Sequence, residues 1–143
     1  MSVVIRQLGC ADGDAVSVRV RHEENEFNAL IHGSKSELTA LLNQECIVEM
    51  SFERVVAWRE IAEFEDAQSC IKQDETIAGA VTLCGRVHSV MEVESGVEII
   101  DLYLQKGPEF LAIKSTELGG SVPAVGSALE VTVYGLCFYP TGI

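Results

Sequence analysis

Apolar and polar residues alternate along most of this chain, and a period of two is typical of β-strands with one buried face. Residues 16–20, which read Val-Ser-Val-Arg-Val, show the pattern clearly. Both halves predict one order of elements, namely three strands, a helix or its remnant, and a further strand. The predicted strands cover residues 3–8, 16–21, 26–32 and 45–58, and then 77–93, 98–105, 109–114 and 128–138.

One segment departs from the alternation and predicts a short helix. Ser34 is followed three residues later by Glu37, which is the signature of a capping box at a helix N-terminus. Leu38, Leu41 and Leu42 then form an apolar stripe about two turns long. The corresponding residues 116–125 contain glycine and proline, so we expect the second helix to be shorter or lost.

The two halves resemble each other in sequence as well as in element order. Residues 26–30 read Glu-Phe-Asn-Ala-Leu and residues 109–113 read Glu-Phe-Leu-Ala-Ile, at an offset of 83 (110 minus 27). The match predicts an internal duplication in which Phe27 and Phe110 are equivalent core anchors. The alternative is that two unrelated β-meanders look alike because every half-buried strand alternates.

This order of elements resembles the OB-fold, a five-stranded Greek-key barrel. The resemblance is strongest in the second half, where residues 85–87, 101–104 and 125–126 read Gly-Arg-Val, Asp-Leu-Tyr-Leu and Val-Gly. It implies an all-β protein with one short helix, built from two OB-like barrels or half-barrels packed as a pseudo-symmetric unit. The predicted parts are a first repeat over 1–60, an acidic connector over 61–76 and a second repeat over 77–143. The fifth strand of the second repeat would come from the other half or from a partner chain.

Composition restricts the classes of function. The chain has 143 residues and a net charge of −12, from 22 acidic and 10 basic residues. Such a field repels nucleic acid and anionic membranes at long range, and it favours a basic partner. Neither an apolar run long enough to span a membrane nor a secretory leader is evident, and the five cysteines are an odd, widely spaced set. We therefore expect a reducing, cytoplasmic compartment and free thiols.

Motifs for catalysis and for cofactor binding are not apparent in the sequence. No two cysteine or histidine residues have the spacing of a zinc site, so no metal or cofactor is predicted. Cys10, on a turn beside Asp12, is the thiol that the pattern leaves most exposed, but an ordinary turn cysteine is a better explanation of it than a reactive one.

The sequence therefore favours a non-catalytic protein-binding module that engages a basic protein. An immunity-type or inhibitor-type protein and an accessory subunit both fit, and a homodimer is left open. The acidic residues predicted to face the partner are Glu60, Glu63, Glu65 and Asp66. The apolar residues predicted for the same role are Trp58, Tyr134 and Phe138, although packing of one half on the other would also explain them.

Two other functions remain as alternatives. The first is an OB-type single-stranded nucleic-acid binder that uses the basic cluster Arg6, Arg19, Arg21 and His32. This cluster lacks an aromatic residue, and Arg6 could instead pair with Glu45, Glu49 or Glu53 across the sheet. The second is a small enzyme with a site between the halves, which no sequence motif supports.

Overall fold

The computed structural model describes residues 1–62, 71–104 and 109–141. It confirms the predicted all-β fold class, because most of these residues are in strands and they include one short α-helix. The described strands are β1 (Ser2–Asp12), β2 (Ala15–His22), β3 (Asn25–His32), β4 (Glu45–Ser51), β5 (Arg54–Ile61), β6 (Ile71–Gln73), β7 (Ala80–Glu94), β8 (Val97–Leu104), β9 (Glu109–Lys114), β10 (Ala128–Tyr134) and β11 (Cys137–Pro140).

The first four strands close into a barrel with the last strand of the chain. The order around the barrel is β1-β2-β3-β11-β4. β11 runs parallel to β3, with Cys137 opposite Leu30, and antiparallel to β4, with Phe138 opposite Met50. The barrel of the first half is therefore completed by a strand from the far end of the sequence.

The second sheet receives a strand from the first half in the same way. Its order is β5-β10-β7-β8-β9, and the short strand β6 also pairs with β7. β5 runs antiparallel to β10, with Trp58 opposite Val131. The fifth strand of the second repeat, left open by the sequence, is thus β5. Each sheet therefore contains a strand from the other half of the chain, so neither sheet is confined to one of the repeats predicted over 1–60 and 77–143.

Two of the long strands predicted from the alternation, over 45–58 and 128–138, are each divided in two where the chain crosses between the sheets. The first break falls at Phe52 and Glu53, and the second at Gly135 and Leu136. The Glu53 amide donates to the carbonyl of Tyr134 at 2.9 Å, so the two crossings lie against each other. Gly135 has a φ of +73°, a conformation that glycine adopts without strain.

Strand register is shared by the two sheets. Ile5 lies opposite Val20 in one and Val87 opposite Leu102 in the other, an offset of 82 for both strands (87 minus 5 and 102 minus 20). The residue after each of these pairs, Arg6 or His88, falls at a register shift of the ladder. This agreement is what a duplication requires, and common ancestry of the halves stays a prediction.

The predicted equivalence of Phe27 and Phe110 is wrong. Phe27 lies opposite Val20 and is fully buried, whereas the residue opposite Leu102 is Leu111, and Phe110 is 46% exposed. The connection between these positions is two residues longer in the second half, so the sequence match slipped by one residue on β9. Because side chains alternate with a period of two, a one-residue slip moves every side chain to the opposite face.

A continuous set of buried side chains joins the barrel to the second sheet and includes Val18, Phe27 and Phe138 from the barrel and Leu102 and Val131 from the sheet. Because the two sheets share this core, neither half is expected to fold alone.

The predicted capping box is present at the start of α1 (Lys35–Thr39). The amide of Glu37 donates to Ser34 Oγ at 3.2 Å, and the buried side chain of Leu38 anchors the helix. The helix has 5 residues and is shorter than the predicted stripe. Its counterpart is a 3-10 helix over Ser115–Leu118, as the glycine-containing sequence predicted. None of the helices described is long and apolar enough to span a membrane.

Candidate functional site

Three of the four residues of the predicted basic cluster, Arg6, Arg19 and Arg21, lie near one another, and two of them donate to groups of the protein itself. Arg6 Nε lies 3.6 Å from Glu26 Oε1, and Arg6 Nη1 donates to Asn43 Oδ1 at 3.1 Å. This pairing across the sheet uses Glu26 on β3 instead of Glu45, Glu49 or Glu53, which the sequence suggested. Such exposed pairs contribute little to stability, about 0 to 1 kcal/mol.

The other members of this cluster lie on β2 and β3. Arg19 Nη1 donates to Asn28 Oδ1 at 3.3 Å, and Arg21 lies directly opposite Glu26 in the β2–β3 ladder. His32 is at the other end of β3, where its ring stacks on that of Tyr139 with centroids 5.5 Å apart. The cluster therefore does not form one continuous basic surface.

The predicted acidic surface falls only partly within the described residues. Glu60 is exposed on β5, at the edge of the second sheet. Glu63, Glu65 and Asp66 lie outside the described residues.

The three apolar residues predicted to face a partner do not form an exposed patch. Phe138 is fully buried in the barrel, which corrects its assignment to a binding surface. Trp58 is half-buried and packs against the core, and Tyr134 is half-buried beneath Arg54, whose Cζ lies 4.3 Å from its ring centroid. Packing of one half on the other, the competing interpretation, accounts for these residues.

The outer face of β4 and β11 instead exposes apolar side chains beside carboxylates. The side chain of Ile47 is 64% exposed and that of Tyr139 is 41% exposed. Glu45 and Glu49 flank Ile47 on β4 and are both exposed, and Glu49 lies opposite Tyr139. We call these four residues the β4–β11 face. The alternation around the buried residues of β4 already placed Ile47 outward, so this signal was present in the sequence.

A second exposed cluster lies on the outer face of β7, β8 and β9. The ring of Phe110 has its centroid 5.3 Å from that of Tyr103 and 5.1 Å from that of His88. Tyr103 is 36% exposed and Phe110 is 46% exposed. We call these three residues the aromatic patch. The sequence placed Tyr103 outward, but the slipped register hid Phe110.

A shallow cleft of about 320 Å³ lies where β10 passes into β11. Its lining includes Asp12, Asn28, Glu53, Tyr134 and Leu136. Glu53 is paired with Arg54, at 3.4 Å between Oε1 and Nη1. Among residues 1–62, 71–104 and 109–141, no group of three or more His, Cys, Asp and Glu side chains has the geometry to hold a metal ion.

Four of the five thiols lie in the described part of the chain and are free. Burial raises the pKa of Cys46, Cys84 and Cys137 above the ordinary value of a thiol. Cys10 is exposed, and Cys70 lies outside the described residues. Because the thiolate is the reactive form, burial makes Cys46, Cys84 and Cys137 poor nucleophiles.

Comparison with known proteins gives a likeness of fold. No protein-family model matches the chain, and no curated protein matches it either. A solved structure that is similar is that of the cytoplasmic molybdate-binding protein ModG, in a form with molybdate bound. The TM-score is 0.53 at 14% sequence identity, and the match covers 96% of this chain and 92% of that one. At this identity the likeness shows the arrangement of strands and nothing of the ligand.

Proposed function

We propose that this protein is a non-catalytic protein-binding module that engages a basic protein partner. The observation that carries the proposal is the β4–β11 face, where Ile47 is exposed between Glu45 and Glu49 on β4, and Tyr139 is exposed opposite Glu49. Exposed apolar and aromatic side chains with a charged rim are typical of protein interfaces. The role of an inhibitor-type or accessory subunit in a reducing, cytoplasmic compartment belongs to the same proposal.

Charge supports a basic partner over an anionic one. The net charge is −12, and several described cations are held by the protein's own acceptors, including Arg6, Arg54 and Arg59. A positively charged partner would be attracted over about 10 Å at 0.1 M salt, and this attraction would raise the association rate.

The ligand of ModG is not carried over to this chain. Molybdate is an anion, and the cleft between the two sheets is lined by the carboxylates of Asp12 and Glu53. The negative field of the whole chain opposes the same ligand. That ModG is a binding protein is consistent with a non-catalytic role here, and it supports the proposal no further than that.

The test begins with capture of partners by the purified protein from its native host, followed by purification of the captured protein and measurement of binding. We expect a basic partner whose association slows as salt rises from about 0.05 to 0.3 M, because the Debye length shortens. Replacing Glu45 and Glu49 with glutamine should slow association further. The matched control replaces Glu92 and Glu94 with glutamine. Both are exposed on β7 of the second sheet, so the association rate should be unchanged.

The nucleic-acid alternative is tested in the same series. Micromolar binding of single-stranded DNA or RNA at about 0.15 M salt, lost on changing Arg19 and Arg21 to alanine, would overturn the proposal.

A further inference from the structure

The two halves place different side chains at one structurally equivalent position. In the barrel, Arg6 follows the pair Ile5–Val20 at a register shift, and in the second sheet His88 follows the pair Val87–Leu102 in the same way. The neighbouring cross-strand pair is Arg21 with Glu26 in the barrel and Tyr103 with Phe110 in the second sheet.

The barrel fills this position with charged side chains, two arginines and a glutamate, of which Arg6 and Glu26 form an ion pair. Arg6 Nε lies 3.6 Å from Glu26 Oε1, and Arg21 is opposite Glu26. The second sheet fills it with three partly exposed rings, of which Phe110 lies against both of the others. Since the barrel folds with polar groups at this position, the fold does not require aromatic rings there. A cluster of exposed rings that packing does not demand is typical of an interaction site.

The rings and their surroundings suit a cationic side chain. The face of an aromatic ring attracts a cation, as Arg54 already does over Tyr134 at 4.3 Å in this chain. Asp101, two residues before Tyr103 on the same face of β8, adds a carboxylate whose Oδ2 accepts from Ser89 Oγ at 3.0 Å. The net charge of −12 favours a basic partner over a polyanion.

The same face also carries positive charge. Arg86 lies opposite Tyr103 on the side away from Phe110, and its Nη1 donates to the carbonyl of Gly126 at 3.2 Å. Lys114 lies at the far end of β9. The approach to the patch that avoids both cations is therefore over Phe110, next to Asp101.

We infer that the aromatic patch of His88, Tyr103 and Phe110 receives an arginine or lysine side chain of the protein partner. This inference rests on the proposed function and adds a second contact with the partner, on the second sheet, to the one proposed for the β4–β11 face of the barrel.

The experiment compares three double variants against the purified partner. Replacing Tyr103 and Phe110 with alanine should weaken binding roughly 3- to 30-fold, the effect of losing one cation–π contact. Replacing both with leucine keeps apolar surface but removes the ring faces, and it should weaken binding to a similar extent. The matched control replaces Arg21 and Glu26, the equivalent pair in the barrel, with alanine. This variant should bind as the unaltered protein does. Thermal unfolding of each variant checks that it is folded.

A second probe does not depend on the identity of the partner. A twelve-residue peptide of alternating arginine and glycine should shift the ring NMR signals of Tyr103 and Phe110, and the same peptide with citrulline in place of arginine should not.

The possible failures are distinguishable. If the partner binds the alanine and control variants equally well, the inference is wrong while the proposed function stands. If the leucine variant binds as the unaltered protein does, the contact is apolar and a cationic side chain is not its ligand. If no basic partner is captured, the proposed function itself is wrong. Binding of a single-stranded oligonucleotide that the alanine variant abolishes would assign the patch to nucleobases instead.

Discussion

The phenyl rings of Phe27 and Phe138 lie 6.1 Å apart, centroid to centroid, with their planes inclined at 52°, and both are fully buried. Phe27 belongs to β3 and Phe138 to β11, the strand that closes the barrel. An inclined pair at this separation is a favourable aromatic arrangement, worth about 0.5 to 1.5 kcal/mol beyond the burial of its area. This contact packs β11, the strand that closes the barrel, against β3 of the first half.

Replacing Phe138 with alanine should therefore destabilise the protein strongly. The expected loss is about 3 to 5 kcal/mol, because a large buried side chain leaves a cavity. Chemical denaturation measures the loss. The neighbouring Tyr139 is 41% exposed, and its replacement with alanine should cost less than about 1 kcal/mol. Equal losses at both positions would contradict the alternation of β11.

Strand register in the second sheet makes a second prediction. Phe27→Ala should cost about 3 to 5 kcal/mol, and Phe110→Ala less than about 1 kcal/mol, because only Phe27 is buried. Leu111→Ala should cost about 2 to 5 kcal/mol, since Leu111 is the buried counterpart of Phe27. Denaturant unfolding of the three variants gives the comparison. A large loss at Phe110 with a small one at Leu111 would restore the register inferred from the repeat.

The crossing between β10 and β11 should tolerate no side chain at Gly135. Its φ is +73°, and an added Cβ would lie 2.7 Å from the Cβ of Glu53. Gly96 has a similar φ of +78° in an open turn, with nothing within 4 Å of an added Cβ. Gly96→Ala should thus cost about 1 to 2 kcal/mol from the backbone alone, and Gly135→Ala more. Thermal or denaturant unfolding tests the order, and a smaller loss at Gly135 would contradict the close approach of the two crossings.

Asp74 should make stability depend on pH in the acid range. Hydrogen bonds from the Thr76 side chain, and then from the backbone amides of Ile77 and Thr76, lower the pKa of this carboxyl group below its ordinary value. A lowered pKa in the folded state stabilises the fold above the unfolded value of about 3.9, and the contribution disappears as pH falls through the lowered value. Asp74→Asn should therefore lower the Tm at about pH 6, with the gap to the unaltered protein closing towards about pH 2. A difference in Tm that widens on acidification would mean that folding does not lower the pKa of Asp74, and it would contradict this prediction.

The thiols should differ in their rates of alkylation. In a Cys70→Ser background, Cys10 should react with iodoacetamide faster than Cys46 and Cys84, because Cys10 is exposed and burial raises the pKa of the other two. Peptide mass spectrometry after timed alkylation measures the rates. Replacing Cys10 with serine should remove the fast phase, and a fast phase that persists would mean that a buried thiol is accessible.

Much of the fold follows from local pattern. Alternation identified most of the strands, and Ser34 with Glu37 identified the start of the helix, because strand faces and helix caps depend on residues close together in sequence. The pattern could not divide the strand at Gly135, since residues 133–139 are all apolar apart from this glycine and show no alternation in which a change of the buried face could be seen. Nor could it detect the slip at Phe110, because a phenylalanine next to a leucine leaves either face equally apolar.

By itself, the sequence determined the all-β class, the short helix and the acidic charge, since composition and periodicity are properties of the chain alone. Only the tertiary structure decided which strands pair and therefore which side chains are exposed. It buried Phe138 by inserting β11 between β3 and β4, and it left Phe110 exposed by setting the register of β9 against β8. The physical reason is that pairing between distant strands depends on the shared core and on the length of the connections, neither of which a local pattern contains.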